Sequence, residues 1–157
     1  KKGGRTFVRL GRYSKEQIKY METEKKGLSI IFHSGSYDRM YHGFSIVLVA
    51  LALGREARCF FTYWALQYLV KGKSVFQLNE EGQSHRKLWE EHMRKGHIQE
   101  ISELLIQAKA MGAKFYVCTN SMGLLNVSRD ELVNEVDKSM GLTTFLAETG
   151  HDQILFI

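Results

Sequence analysis

The sequence predicts an α/β fold, a parallel sheet covered on both faces, and three observations carry that expectation. From Leu28 onward, short apolar runs alternate with helix-like segments. The runs LSIIFH, RCFFT and AKFYVC are apolar almost without interruption, as strands buried on both faces are. Composition fits an ordinary globular domain, with 44% hydrophobic and 25% charged residues.

The first strand is expected over Leu28 to His33, and Ser34, Gly35 and Ser36 form the turn that follows. A helix then runs from Tyr37 to Leu53, with Asp38 favoured in its first turn and Gly54 suited to stop it. Because this helix is apolar nearly all round, it must be buried against the sheet or a subunit. Arg58 to Thr62 makes the second strand, and Tyr63, Trp64 and Ala65 open the next turn. Between Lys71 and His97 the pattern weakens into polar residues with scattered apolar anchors, which reads as a mobile or lid-like stretch.

Helical periodicity returns from Ile98 to Met111, and Gly112 ends it. The strand ending on Cys118 follows at once. Ser128 and Glu131 have capping-box spacing for a short helix through Leu132 and Val136. Thr143 to Thr149 is ambiguous between strand and helix, and QILFI closes the chain as a strand.

Charge divides the chain. Residues 1–27 hold nine Lys/Arg against three Glu, a net of +6, so the remaining 130 residues of this +5 chain sum to −1. A basic N-terminal extension, 1–27, is therefore expected on a near-neutral domain, 28–157. No nucleic-acid motif or aromatic interleaving accompanies the basic charge, so it reads as a solvated leader.

Two cysteines exclude a disulfide framework, and neither CxxC nor paired Cys/His zinc spacing is present. The longest apolar run, Phe44 to Leu53, is too short to span a bilayer. A reducing, cytoplasmic setting is the expectation. His85, His92 and His97 are spaced by seven and five, which does not bring all three onto one helical face, so neither a metal nor a cofactor is implied.

Chemistry points to Cys118. It sits where a strand ends and a helix-like segment, Thr119, Asn120 and Ser121, begins, and the opening N–H groups of a helix favour an anion such as a thiolate. Cys59, inside a strand, reads as core. Parallel strands bring their carboxyl ends to one edge, where α/β proteins bind ligands. That edge would gather His33, Ser34 and Gly35 after the first strand, Thr62, Tyr63 and Trp64 after the second, and Thr119, Asn120 and Ser121 beside the thiol.

The segments IIFHSGSYDRMYHGFSIVLVALALG, CFFTYWAL, AKFYVCTNSMGLLNVSRDELV and GLTTFLAETGHDQILFI together resemble the DsrE/DsrF-like family of sulfur-relay proteins, which includes peroxiredoxin-like members of unassigned role. The resemblance covers residues 28 to 157. It implies a three-layer α/β/α sandwich with a mainly parallel sheet of about five strands, and homo-oligomers built from trimers. It also implies that Cys118 carries a persulfide and passes sulfane sulfur between donor and acceptor proteins or small sulfur compounds. Tyr63 and Ala65 depart from the family's usual phenylalanine and glycine, and no second cysteine stands ready to resolve a sulfenic acid. Two other classes compete with the relay: a small-anion or nucleotide-binding module using the strand-end turns, and an interaction protein that assembles without chemistry.

Overall fold

Five short strands build one sheet in the computed structural model, which describes residues 26–157. They are β1 (Leu28–Phe32), β2 (Ala57–Phe61), β3 (Lys114–Cys118), β4 (Lys138–Met140) and β5 (Gln153–Phe156), in the order β4-β3-β2-β1-β5. All four pairings are parallel, so every carboxyl end reaches the same edge. Five helices connect them: α1 (Tyr37–Ala52), α2 (Arg86–Arg94), α3 (Ile101–Ala110), α4 (Thr119–Leu125) and α5 (Leu142–Glu148).

Alternate side chains of each strand feed two separate cores. On one face, Ile30, Phe32, Cys59, Phe61, Phe115 and Val117 join Met40, Phe44 and Val47 of α1 and Leu104, Leu105 and Ala108 of α3. On the other, Ile31, Phe60, Cys118 and Met140 pack with Phe145 of α5 in a smaller cluster. The protein is thus a three-layer α/β/α structure on an all-parallel sheet.

Helix α1 meets the sheet through Tyr37, Met40, Gly43, Phe44, Val47 and Ala50, the spacing of one helical stripe. Gly43 lies so close to the Phe32 ring that a methyl group there would collide with it. The helix stops at Leu53, and Gly54 takes the left-handed φ of 73° that ends many helices. Its outer side leaves Val49 and Leu53 exposed, so burial all round, expected from composition, does not hold within the described chain.

Three further stretches differ from expectation. The polar region from 71 to 97 is built rather than lid-like. A 3-10 turn (Glu81–His85) leads into α2, which Arg86–Glu90 and Glu91–Lys95 ion pairs brace at i, i+4 spacing. Trp89 of α2 packs edge-on against Tyr37 and Tyr41 of α1. Helix α3 starts at Ile101, where Glu100 and Glu103 form a capping box, instead of at Ile98.

The Ser128–Glu131 capping box exists, yet it starts only a three-residue 3-10 turn (Arg129–Glu131). The chain cannot continue as a helix because Leu132 pairs with Val70 as a bridge and the Val133 N–H donates to the Leu69 carbonyl. That extended path delivers β4, and Asp137 anchors it by accepting the Phe115 N–H at 2.7 Å and the Lys109 ammonium at 2.6 Å. The ambiguous segment before β5 is helical, as α5.

Most of the basic leader, residues 1–27, lies outside the described residues. Its last two members are tied down, since Arg55 donates to the Lys26 carbonyl at 2.8 Å and to the Gly27 carbonyl at 3.2 Å.

Candidate functional site

Strand register places the site. Phe61 faces Val117 across β2 and β3, and Cys118 faces Met140 across β3 and β4. One residue beyond the β2 ladder, Thr62 therefore stands beside Cys118 on the face covered by α5. Sulfur is thus shared between two surroundings. Ile31, Phe60, Met140 and Phe145 supply an apolar wall, and the first turn of α4 supplies polar hydrogens.

Cys118 is 6% exposed. Burial alone would raise its pKa, as it does for Cys59, which is fully enclosed in the larger core and pushed far above the ordinary thiol value. For Cys118 burial is the largest influence and also acts upward. Polar groups gathered about the sulfur reverse it: the Ser121 hydroxyl and N–H, the Thr62 hydroxyl and the Asn120 N–H hold the thiol below its ordinary value, and because the two hydroxyls also bond each other, one of them at a time turns its proton to the sulfur. The two cysteines thus titrate in opposite directions. With seven residues, α4 contributes through these particular bonds rather than through a long helix's field.

Ser121 is the hub of this arrangement. Its Oγ lies 2.9 Å from Thr62 Oγ1 and accepts the Tyr63 N–H at 2.9 Å. Thr62 and Ser121 are both buried, so neither hydroxyl has water as a substitute partner. Asn120 acts through its backbone while the residue itself is exposed, and Thr119 is exposed as well.

The remaining sequence candidates lie apart from the sulfur. His33 packs at a tilt against Tyr63, at 4.8 Å between ring centres, and against Phe156, at 5.5 Å. Ser34, Gly35 and Trp64 line an open cleft of ≈ 490 Å³ on the other side of this ridge, and neither Cys118, Thr62 nor Ser121 lines it. One expected pocket is therefore two adjoining features of one sheet edge. Gly35 is required there, because a Cβ would come within 2.8 Å of Trp64 Cβ and Gln67 Nε2. Trp64 is 54% exposed in the cleft.

Sequence reasoning missed the far wall of that cleft, Gln77 to Glu80. Gln77 accepts the Tyr37 N–H at 2.7 Å, and the Asn79 N–H donates to Asp38 Oδ1 at 3.0 Å, which pins this segment over the start of α1. Met140 and Phe145 beside the sulfur were missed too. Among the described residues, no group of three His, Cys, Asp or Glu side chains is placed to hold a metal ion.

A parallel α/β/α sheet with a cysteine at its carboxyl edge defines the class, and comparison defines the family. Residues 75–156, just over half of the chain, match the DsrE/DsrF/DrsH-like family, and the chain belongs to it. An uncharacterized protein of Bacillus subtilis (strain 168), YrkE, is 25% identical over 162 residues, covering 87% of this chain and all of that protein. The structure of YchN from E. coli superposes with a TM-score of 0.57 at 14% identity, covering 84% of this chain and 99% of YchN. MTH1491 of Methanobacterium thermoautotrophicum, a protein of unknown function, gives 0.56 at 12% identity over the same 84%, and 99% of its own chain. These two likenesses are of fold.

Proposed function

We propose that this chain is a sulfur-relay protein in which Cys118 carries sulfane sulfur as a persulfide and transfers it to a partner cysteine. The observation that carries the reading is the gathering of Thr62, Asn120 and Ser121 polar groups about an otherwise enclosed thiol, which they hold below its ordinary value. A merely structural cysteine at a strand end needs no such groups, and Cys59 has none.

In the loading step the Cys118 thiolate attacks the outer sulfur of a persulfide or thiosulfate donor. A new S–S bond forms as the donor's S–S bond breaks, and the donor leaves as its thiolate or as sulfite. In the unloading step an acceptor thiolate attacks the terminal sulfur on Cys118, the S–S bond breaks, and Cys118 leaves as thiolate. One sulfur atom moves at the zero oxidation level, so no oxidant or reductant is consumed. These polar groups serve both steps: they supply the nucleophile, and they make Cys118 a better leaving group.

The anion-binding alternative loses support at the cleft, whose lining includes Glu80 and no Lys, Arg or His. Partners in the proposal are a sulfur donor and an acceptor, together with further copies of the chain in a trimer-based homo-oligomer in the cytoplasm. Exposed Leu142, Leu146, Ile154 and Phe156, at the α5 and β5 side of the sheet, support assembly. No helix among the described residues is long and apolar enough to cross a membrane.

The test is intact mass after incubation with thiosulfate, polysulfide or tetrathionate. Thiosulfate and polysulfide should add sulfur, tetrathionate should leave its mixed adduct, and each should map to Cys118, vanish under a reducing thiol and be absent in Cys118→Ser. An unmodified protein whose Cys118 still alkylates normally would overturn the relay.

A further inference from the structure

Tyr63 breaks a backbone rule at the site. Its φ is 45°, in the left-handed region where a large side chain is rare, although its neighbours Thr62 and Trp64 leave β2 in one step. Strain of this kind persists only where the surroundings enforce it, and it concentrates at functional sites.

Two contacts enforce it here. The Tyr63 ring packs at a tilt against His33, which also packs against Phe156. The Tyr63 N–H, directed by the extended backbone of Thr62, donates to Ser121 Oγ at 2.9 Å. We infer that Tyr63 is a positioning residue for Cys118: its N–H holds Ser121 Oγ beside the sulfur, and its left-handed backbone lets the chain turn out of β2 without breaking that bond.

Counting protons shows why this matters. Ser121 Oγ has one proton and two lone pairs. With the Tyr63 N–H on one lone pair and the Thr62 proton on the other, the Ser121 proton is left for the Cys118 sulfur; in the opposite arrangement Thr62 serves the sulfur and Ser121 serves Thr62, so the N–H on Ser121 Oγ biases the pair toward the first. Without the Tyr63 N–H, one lone pair is empty and the serine rotamer is held by Thr62 alone. The hydroxyl pair is then free to reverse and spend the Ser121 proton on Thr62. Tyr63 touches no reacting atom; it acts through Ser121.

This inference rests on Cys118 being the working thiol, but its test reads ionisation and needs no sulfur transfer. The experiment compares Tyr63→Gly, Tyr63→Asn and Tyr63→Val by the pH profile of Cys118 alkylation with iodoacetamide, followed by mass mapping. Gly and Asn tolerate the left-handed conformation without the ring, whereas a β-branched residue does not. The profile should stay put for Gly and Asn and move up by about one pH unit for Val, a roughly tenfold loss of thiolate at neutral pH.

Because the Val variant risks a wider disturbance, it is also made on a Ser121→Ala background, where it should add no further shift. Equal shifts in all three variants would assign the effect to the ring instead. No shift in any, or full additivity with Ser121→Ala, would overturn the positioning role. Failed sulfur loading with the expected alkylation pattern would sink the relay and leave this inference standing.

Discussion

Thr62 Oγ1 and Ser121 Oγ meet at 2.9 Å, joining the residue just beyond β2 to the first turn of α4 at the Cys118 sulfur. The contact is a fold element and a site element at once, since it closes the sheet edge and leaves a hydroxyl proton for the sulfur.

Ser121→Ala removes one hydrogen-bond donor to sulfur and leaves the buried Thr62 hydroxyl without its partner. A buried polar group stripped of its partner costs about 1–3 kcal/mol, so denaturant unfolding should show a loss of that order. The pH midpoint of Cys118 alkylation should rise in the same variant. Thr62→Val removes a polar group beside the sulfur but leaves Ser121 Oγ still bonded to the Tyr63 N–H, and it should shift the midpoint with a smaller stability loss. Stability loss without a midpoint shift in Ser121→Ala would show that the serine is only structural.

Much of this was legible in the sequence, and the reasons differ by element. The buried strands LSIIF and CFF and the terminal QILF are apolar runs that a parallel sheet requires, so they read directly. Cys118 was legible because a strand pattern passes straight into a polar turn. Strand β4 was not, for Lys138, Ser139 and Met140 show neither an apolar run nor alternation, and long-range pairing to β3 alone makes them a strand. Helix α2 was hidden because its stability comes from surface ion pairs and from Trp89 on α1, not from an apolar stripe. At the site, the spacing of Thr62 and Ser121 in the chain, 59 residues, carries no signal of their contact. Register alone brings them together. The split between the sulfur and the Trp64 cleft was equally invisible, since strand ends can be gathered on one edge without revealing which face each side chain takes.

The opposite environments of the two thiols give stability two opposite pH dependences. Cys118 is held below its ordinary value, so its contribution is present above the unfolded thiol's pKa of about 8.5 and is lost as pH falls through the lower folded value. Cys59 is held above its ordinary value by burial, so its contribution is full below about pH 8.5 and is lost as pH rises from there toward the folded value. Urea unfolding of wild type, Cys59→Ala and Cys118→Ala at pH 6.5 and 9.5 separates them. The penalty of Cys118→Ala should grow with pH. The penalty of Cys59→Ala should shrink, at up to about 1.4 kcal/mol per pH unit above the thiol value. Penalties moving in the same direction would contradict the assignment of the two sulfurs.

Phe145 closes the apolar wall over the sulfur and supplies none of the groups that favour the thiolate. It is fully buried, stacked on Phe60 at 4.7 Å, and belongs to the same small cluster as Cys118 and Met140. None of the polar groups about the sulfur comes from α5. Phe145→Leu should therefore raise the limiting rate at high pH, because the smaller side chain opens the apolar wall over sulfur, and should move the pH midpoint of alkylation down if at all, because less burial then holds the thiol up. Phe145→Ala should do so more strongly, at a stability cost of about 3–5 kcal/mol from the lost ring and the cavity left behind. The two variants, assayed for alkylation rate against pH and for unfolding midpoint, separate reach from charge. If the midpoint rises and the limiting rate does not, α5 helps to stabilise the thiolate, and reagents reach the sulfur from the Thr62 side instead.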